Sequence, residues 1–318
     1  MGHVVRSLTL AEELVRRGHD VLLVGTGVIE GLKFADSFGI VPSRETIKDG
    51  GAEGATELLD FQPEGVAVDG YHFDKTFFAA LADAKVPYAV IDDNGETQAP
   101  APAVIINQNP SARKSLYPNV KLPTRFLLGQ DFALIRSELR ELASRPSSVG
   151  SHIAIGFGGT DPAGLSEPVA KHLLAQGHRI ALHEKFRFSS IGLNHEEPEF
   201  FPSSSFINAL SSASVAILGA GSSLWEAAAL GVPTVAVVVA ENQRKPSQAA
   251  LDCGLIDALV SALDGRSKNE ITHEVGQKVS LLLENRGRER KARIQLDGVE
   301  RVASEVVASF EQYRAMIV

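Results

Sequence analysis

The sequence predicts an α/β protein made of two Rossmann-like domains with a cleft between them. Three observations carry this reading. Short runs rich in Val and Ile alternate with helical patterns along the whole chain, the signature of parallel sheets covered on both faces. At 318 residues the chain is long for one hydrophobic core, and usual domain sizes divide it in two. Near its middle, residues 143–151 read ASRPSSVGS, a stretch without apolar periodicity that suits a linker.

The boundary is expected near Val149, giving domains of residues 1–148 and 149–318. In the first, strands are expected at residues 20–24, 65–69, 88–92 and 103–107. In the second they are expected at residues 152–157, 179–183, 215–218 and 234–239. Residues 276–310 are helical in character, with Val279, Leu282 and Leu283 at helical spacing. Parallel strands bring their C-terminal ends to one edge of each sheet, where ligands of open α/β folds bind. Those ends carry Asp69, then Asp92 and Asp93, then Asn107, Gln108 and Asn109, then Gly158 and Gly159, then Gly219, and finally Glu241, Asn242 and Gln243. Capping or turn formation explains any one of these, but together they point to a ligand edge.

Composition sets the class. With 44% hydrophobic and 22% charged residues the chain is an ordinary globular one. A net charge of −8, without a basic stripe interleaved with aromatics, argues against nucleic-acid binding. The basic run 286–293 reads as a solvated helix face. Apolar runs such as 233–240 fall far short of the roughly 20 residues of a membrane helix, and a signal peptide is not evident. A cytoplasmic protein is therefore expected. Cys253 is the single cysteine, which excludes an internal disulfide and any Cys-based zinc site, and a small buried hydrophobe is its expected role. Asp92-Asp93 lacks accompanying ligand spacing, so neither a metal nor a cofactor is predicted.

Two strand-to-helix turns have chemistry suited to phosphate. Gly156-Phe157-Gly158-Gly159-Thr160-Asp161-Pro162 lets backbone amides approach a ligand, although Asp161-Pro162 is equally an ordinary helix start. Gly219-Ala220-Gly221-Ser222-Ser223-Leu224-Trp225-Glu226 places two hydroxyls at a helix start. Ser222 or Ser223 would cap that helix, or both would hold a diphosphate. Glu226 would complement the helix dipole, or accept two ribose hydroxyl hydrogen bonds. Asn242 and Gln243, which carry donors and acceptors together, suit sugar hydroxyls.

The run 219–243, GAGSSLWEAAALGVPTVAVVVAENQ, resembles the donor-binding half of GT-B glycosyltransferases, including the bacterial enzyme that adds N-acetylglucosamine to lipid I. In the first half, Gly2-His3-Val4-Val5-Arg6, Asp69-Gly70-Tyr71, Ile91-Asp92-Asp93, Asn107-Gln108-Asn109 and Leu128-Gly129-Gln130-Asp131-Phe132 occur in order. With these the chain resembles, over nearly its whole length, the UDP-sugar hydrolase of pseudaminic acid biosynthesis and the related spore coat polysaccharide proteins. The resemblance implies that water cleaves a UDP-linked 2,4-diacetamido-2,4,6-trideoxy sugar at the anomeric carbon. It makes His3 the catalytic histidine and Tyr71 its companion. It matches Asn242 to the asparagine beside the donor diphosphate, while the residues themselves put Gly158, Gly159, Thr160, Gly221, Ser222, Ser223 and Glu226 on the nucleotide and Arg6, Asp69, Asn107, Asn242 and Gln243 on the sugar side. At the start of the first helix, the dipole would favour a neutral His3 imidazole able to take a proton from water. Tyr71 would orient water or sugar through its hydroxyl, or simply pack. A GT-B glycosyltransferase and a non-catalytic sugar-nucleotide-binding protein are the alternative readings.

Members of that family place a strand and a glycine-rich turn ahead of the histidine, where this sequence has only Met1. The first strand of the N-terminal domain is thus expected to be missing, leaving its neighbours with unpaired backbone groups. The native chain is expected to start upstream of Met1.

Overall fold

The computed structural model describes residues 2–26, 43–121, 123–145, 150–158, 161–183, 198–201, 206–284 and 293–317. Gly159, Thr160, most of the basic run (286–292) and the centre of the expected linker (146–149) lie outside the described residues. The chain forms two compact units, Met1–Arg136 with Asp297–Val318, and Ser137–Leu296.

The first unit opens with helix α1 (Gly2–Arg16). Leu8, Leu10 and Ala11 are buried, and buried Glu13 is matched by Arg16 and Arg17 at 2.7 Å. Gly18, at φ +89°, ends it: His19 N–H bonds back to Leu14 O, the reversal that a left-handed residue after a helix permits. Next come β1 (Leu22–Thr26), β2 (Ser43–Ile47), α2 (Ala52–Leu59), β3 (Val66–Asp69), α3 (Lys75–Asp83), β4 (Tyr88–Ile91), β5 (Val104–Asn107) and β6 (Arg125–Leu128). All pairings are parallel, but they fall into two sheets, β1-β2 and β3-β4-β5-β6. Among the described residues no strand joins β1 to β3. Strand β4 shows why its run is apolar throughout. Tyr88 and Val90 enter a core with Phe77, Phe78 and Leu81 of α3, while Ala89 and Ile91 enter another with Val104, Ile106 and Leu127.

The second unit runs through α4 (Ser137–Ala143), β7 (His152–Gly156), α5 (Ser166–Ala175), β8 (Arg179–His183), β9 (Glu199–Phe201) and α6 (Phe206–Ser212). It continues with β10 (Val215–Gly219), α7 (Ser223–Ala229), β11 (Thr234–Val238), α8 (Arg244–Asp252), β12 (Ala258–Ser261) and α9 (Lys268–Glu284). Its parallel sheet has the order β12-β11-β10-β7-β8-β9. Ile153, Ile155, Val215, Ile217, Val235 and Val237 line one face of it, packed against Val169 and Leu173 of α5 and Val275 and Val279 of α9.

The final helix, α10 (Gly298–Ile317), packs on α1 and buries Val299, Val302, Ala303 and Val306 in the core of the first unit. The units therefore divide at Ser137 and again at Asp297, not once near Val149. Cys253 also differs from expectation. It is exposed at the end of α8, where its thiol faces Ala250 O at 3.6 Å, because the chain turns away there through Gly254 at φ +77°. No described helix is long and apolar enough to cross a membrane.

Candidate functional site

In the first unit the polar site grows from one face of α1. His3, Arg6 and Ser7 are three and four residues apart, so their side chains emerge together. They meet Asp69, which ends β3. His3 Nδ1 lies 2.6 Å from Asp69 Oδ1, Arg6 Nη2 donates to the same oxygen at 2.6 Å, and Arg6 Nε donates to Oδ2 at 2.6 Å. The Ser7 hydroxyl completes the set at 3.3 Å. The Asp69 side chain is only 4% exposed. Burial alone would raise its pKa, but hydrogen bonds from Arg6 and His3 outweigh this and hold the carboxyl below its ordinary value of 3.8. An ionised carboxylate only accepts, so Nδ1 of His3 carries the hydrogen of this contact, and in the neutral imidazole the lone pair falls on Nε2. Among the described residues Nε2 has no partner, and the His3 side chain is 36% exposed.

Arg6 is tied to a second carboxylate by Nη1 donating to Asp93 Oδ2 at 2.5 Å. The two aspartates outweigh the cost of burial and raise the guanidinium pKa further. Tyr71, 56% exposed, donates its hydroxyl to Asp93 Oδ2 at 3.2 Å, and its ring meets that of His3 edge-on at 4.8 Å. His72, which the sequence reading passed over, joins this neighbourhood through Thr26 Oγ1 at the end of β1, 3.0 Å from its Nε2. Burial holds its imidazole below the ordinary 6.5.

The structure thus brings His3, Arg6, Asp69 and Tyr71 together, but with Arg6 and Asp69 engaged with each other and with His3 instead of open to a sugar. Asn107 is also unavailable. It is buried, its Nδ2 donates to Tyr117 Oη at 3.0 Å, and its Oδ1 accepts from Asn109 N at 3.1 Å. Asp92 is spent on its own loop, accepting from the amides of Asn94, Gly95 and Thr97 at 2.9 Å each. Asp93, which the sequence reading placed on the ligand edge and set aside only as half of a metal pair, joins the cluster through Arg6 and Tyr71.

In the second unit the sheet order reverses between β7 and β10, the switch point at which open α/β sheets bind ligands. The loops leaving those two strands carry Gly158 and the run Gly219, Gly221, Ser222 and Ser223. Gly158 takes φ +76° with open space where a Cβ would stand. Gly219 lies beside the backbone of Phe157, where a Cβ would stand at ordinary contact distance, 3.4 Å. Gly221 and Ser222 are exposed, and the Ser222 side chain makes no capping hydrogen bond to α7. Among the described residues the hydroxyls of Ser222 and Ser223 have no partner, the condition in which they can meet an anion. Glu226 is partly buried on the first turn of α7. Asp161 serves as the helix start it resembles, its two oxygens accepting from Leu165 N at 3.0 Å and Ser166 N at 2.8 Å.

The loop after β11, next in the sheet, carries Asn242 and Gln243. Asn242 is exposed. Gln243 Oε1 accepts from Val239 N at 2.9 Å and Ala240 N at 3.2 Å, which leaves only its amide hydrogens for a ligand. Among the described residues no group of three or more His, Cys, Asp and Glu side chains is placed to hold a metal.

No known sequence family and no curated protein matches the chain. Solved structures do. MurG of Acinetobacter baumannii is 15% identical, with 96% of each chain covered and a TM-score of 0.61. The UDP-GlcNAc 2-epimerase of Methanocaldococcus jannaschii, in complex with UDP-GlcNAc and UDP, is 12% identical over 96% of each chain with a TM-score of 0.63. The spinosyn rhamnosyltransferase SpnG, complexed with spinosyn aglycone, is 13% identical over all of this chain and 97% of its own, with a TM-score of 0.62. At such identities the likeness carries the fold alone, and the chain accordingly has the GT-B fold, with two Rossmann-like units.

Proposed function

We propose that this protein is an enzyme acting on a UDP-linked sugar, and that it transfers the sugar to water. The observation that carries the reading is the His3–Asp69 pair, a histidine locked in one tautomer by a buried carboxylate with its outer nitrogen free. In the proposed step Nε2 of His3 takes a proton from water while the water oxygen bonds to the anomeric carbon. The bond from that carbon to the diphosphate oxygen breaks with its electron pair, and UDP leaves as an anion. Its charge is met by the amide of Gly158 and by the turn at Gly221, Ser222 and Ser223. Glu226 accepts from the ribose, and Asn242 with the Gln243 amide reaches the diphosphate and sugar. The proton on His3 then returns to solvent. Asp69 holds the imidazole and offsets its transient charge, as a carboxylate behind a histidine base does.

The substrate favoured by the motifs of the first half is a UDP-linked 2,4-diacetamido-2,4,6-trideoxy sugar, its product feeding nonulosonic acid or surface polysaccharide synthesis. A second reading keeps the same base but gives it a hydroxyl acceptor. It is supported by the likeness to a rhamnosyltransferase, whose fold serves sugar transfer. UDP release from this substrate without an acceptor supports the hydrolase. Release only when an alcohol is added supports the transferase, and UDP binding without release under either condition leaves a sugar-nucleotide-binding protein.

A further inference from the structure

Asp93 does more than neutralise Arg6. Asp69 already grips that guanidinium through both of its oxygens, so Asp93 gives the cluster a second carboxylate for one buried cation. Its position is anchored three ways. Asn109 Nδ2 donates to its carbonyl at 2.9 Å, the Asp92 carboxylate ties down the turn that follows, and Arg6 and Tyr71 converge on Oδ2. Both donors reach the same oxygen. Among the described residues Oδ1 accepts nothing, the side chain is 23% exposed, and the Tyr71 ring that donates to Oδ2 also meets His3. A fixed carboxylate with one unfilled oxygen refuses anions and rewards an N–H or O–H.

We propose that Asp93 is a specificity-determining residue that accepts a hydrogen bond, through Oδ1, from an N–H or O–H on the sugar carbon next to the reacting one. The inference rests on the UDP-sugar reading above. Arg6, Asp69 and Asp93 sum to one negative charge, so this cluster favours an uncharged group over a diphosphate. The adjacent carbon follows from nearness: one tyrosine ring links Asp93 to His3, the base at the reacting carbon, and that carbon's other ring neighbour, the ring oxygen, has no hydrogen to donate.

The test compares the UDP-linked diacetamido-trideoxy sugar with its analogue lacking the acetamido group beside the anomeric carbon. Both turnover and calorimetric binding are read, for the wild type and D93N. Asn at 93 can still accept from Arg6 and Tyr71, but it turns an amide N–H₂ toward the sugar. Wild type should prefer the acetamido substrate by roughly 10- to 100-fold, the worth of a hydrogen bond to a charged group, and D93N should bring the ratio close to one. If D93N does not fold, D93S makes the same comparison. A wild type without preference, or a variant with an unchanged ratio whatever its rate, overturns the proposal. Preference in binding without any turnover overturns only the hydrolase reading, and failure of both sugars to bind overturns both.

Discussion

His3 and Asp69, 66 residues apart in sequence, meet at 2.6 Å, one on the first turn of a helix and the other at the end of a strand. The carboxylate fixes which imidazole nitrogen carries the hydrogen and so leaves the opposite one basic. Replacing His3 by Ala should therefore lower kcat by about 10²- to 10⁴-fold, the span of general-base contributions, with little effect on UDP binding. Steady-state UDP release and calorimetry with UDP check the two halves of this expectation.

Asp69→Asn should be damaging in two ways. An amide in place of the carboxylate permits the wrong imidazole tautomer, and the buried Arg6 loses its main partner, a change that costs about 3–5 kcal/mol when a buried pair is broken. Because the folded pKa of Asp69 is depressed, its contribution to stability is fully present above its ordinary 3.8 and is lost as pH falls from there through the folded value. Melting temperatures followed from about pH 7 down to about pH 2 should fall in that acid window for the wild type. D69N should be less stable at neutral pH and lack that part of the fall.

Tyr71 should act as a neutral hydroxyl. Burial first, and the Asp93 charge next, push its pKa up to about 12. Its ionisation should leave no inflection in the rate profile up to about pH 10, where an ordinary tyrosine would be half ionised. Tyr71→Phe should cost roughly tenfold in turnover, the value of one hydrogen bond. Full activity in this variant would reduce Tyr71 to packing.

In the second unit, Gly158→Ala forces a side chain into φ +76°, which costs about 1–2 kcal/mol and disturbs the loop beside the switch point. Glu226→Gln weakens the proposed ribose contact. Each should loosen UDP binding by roughly tenfold while the melting temperature stays within a few degrees. UDP affinity unchanged in both variants would remove the nucleotide from this edge.

Strands at the centre of a sheet were legible in the sequence. The strands that it hid, β2, β6, β9 and β12, are all edge strands, whose partly open flanks tolerate Arg, Glu and Ser within short runs. The return of α10 to the first unit was hidden too, because an apolar helix stripe says that something covers it and not which core. The motifs singled out His3 and Tyr71, which the fold brings together, but the partners of each carboxylate were not legible. Asp69, Asp92 and Asp93 read alike at strand ends. Only the fold shows that one holds a histidine, one holds a loop, and one keeps an oxygen free. The engagement of Asn107 was hidden for the same reason: its partner Tyr117 shares no pattern with it.

The most direct test of the account runs the reaction with a UDP-linked 2,4-diacetamido-2,4,6-trideoxy sugar in water labelled with heavy oxygen, without acceptor, and weighs both products. Attack on the anomeric carbon by water that His3 deprotonates predicts one labelled oxygen in the free sugar, none in UDP, and almost no release by H3A. Label in UDP, or release by H3A at the wild-type rate, would contradict it.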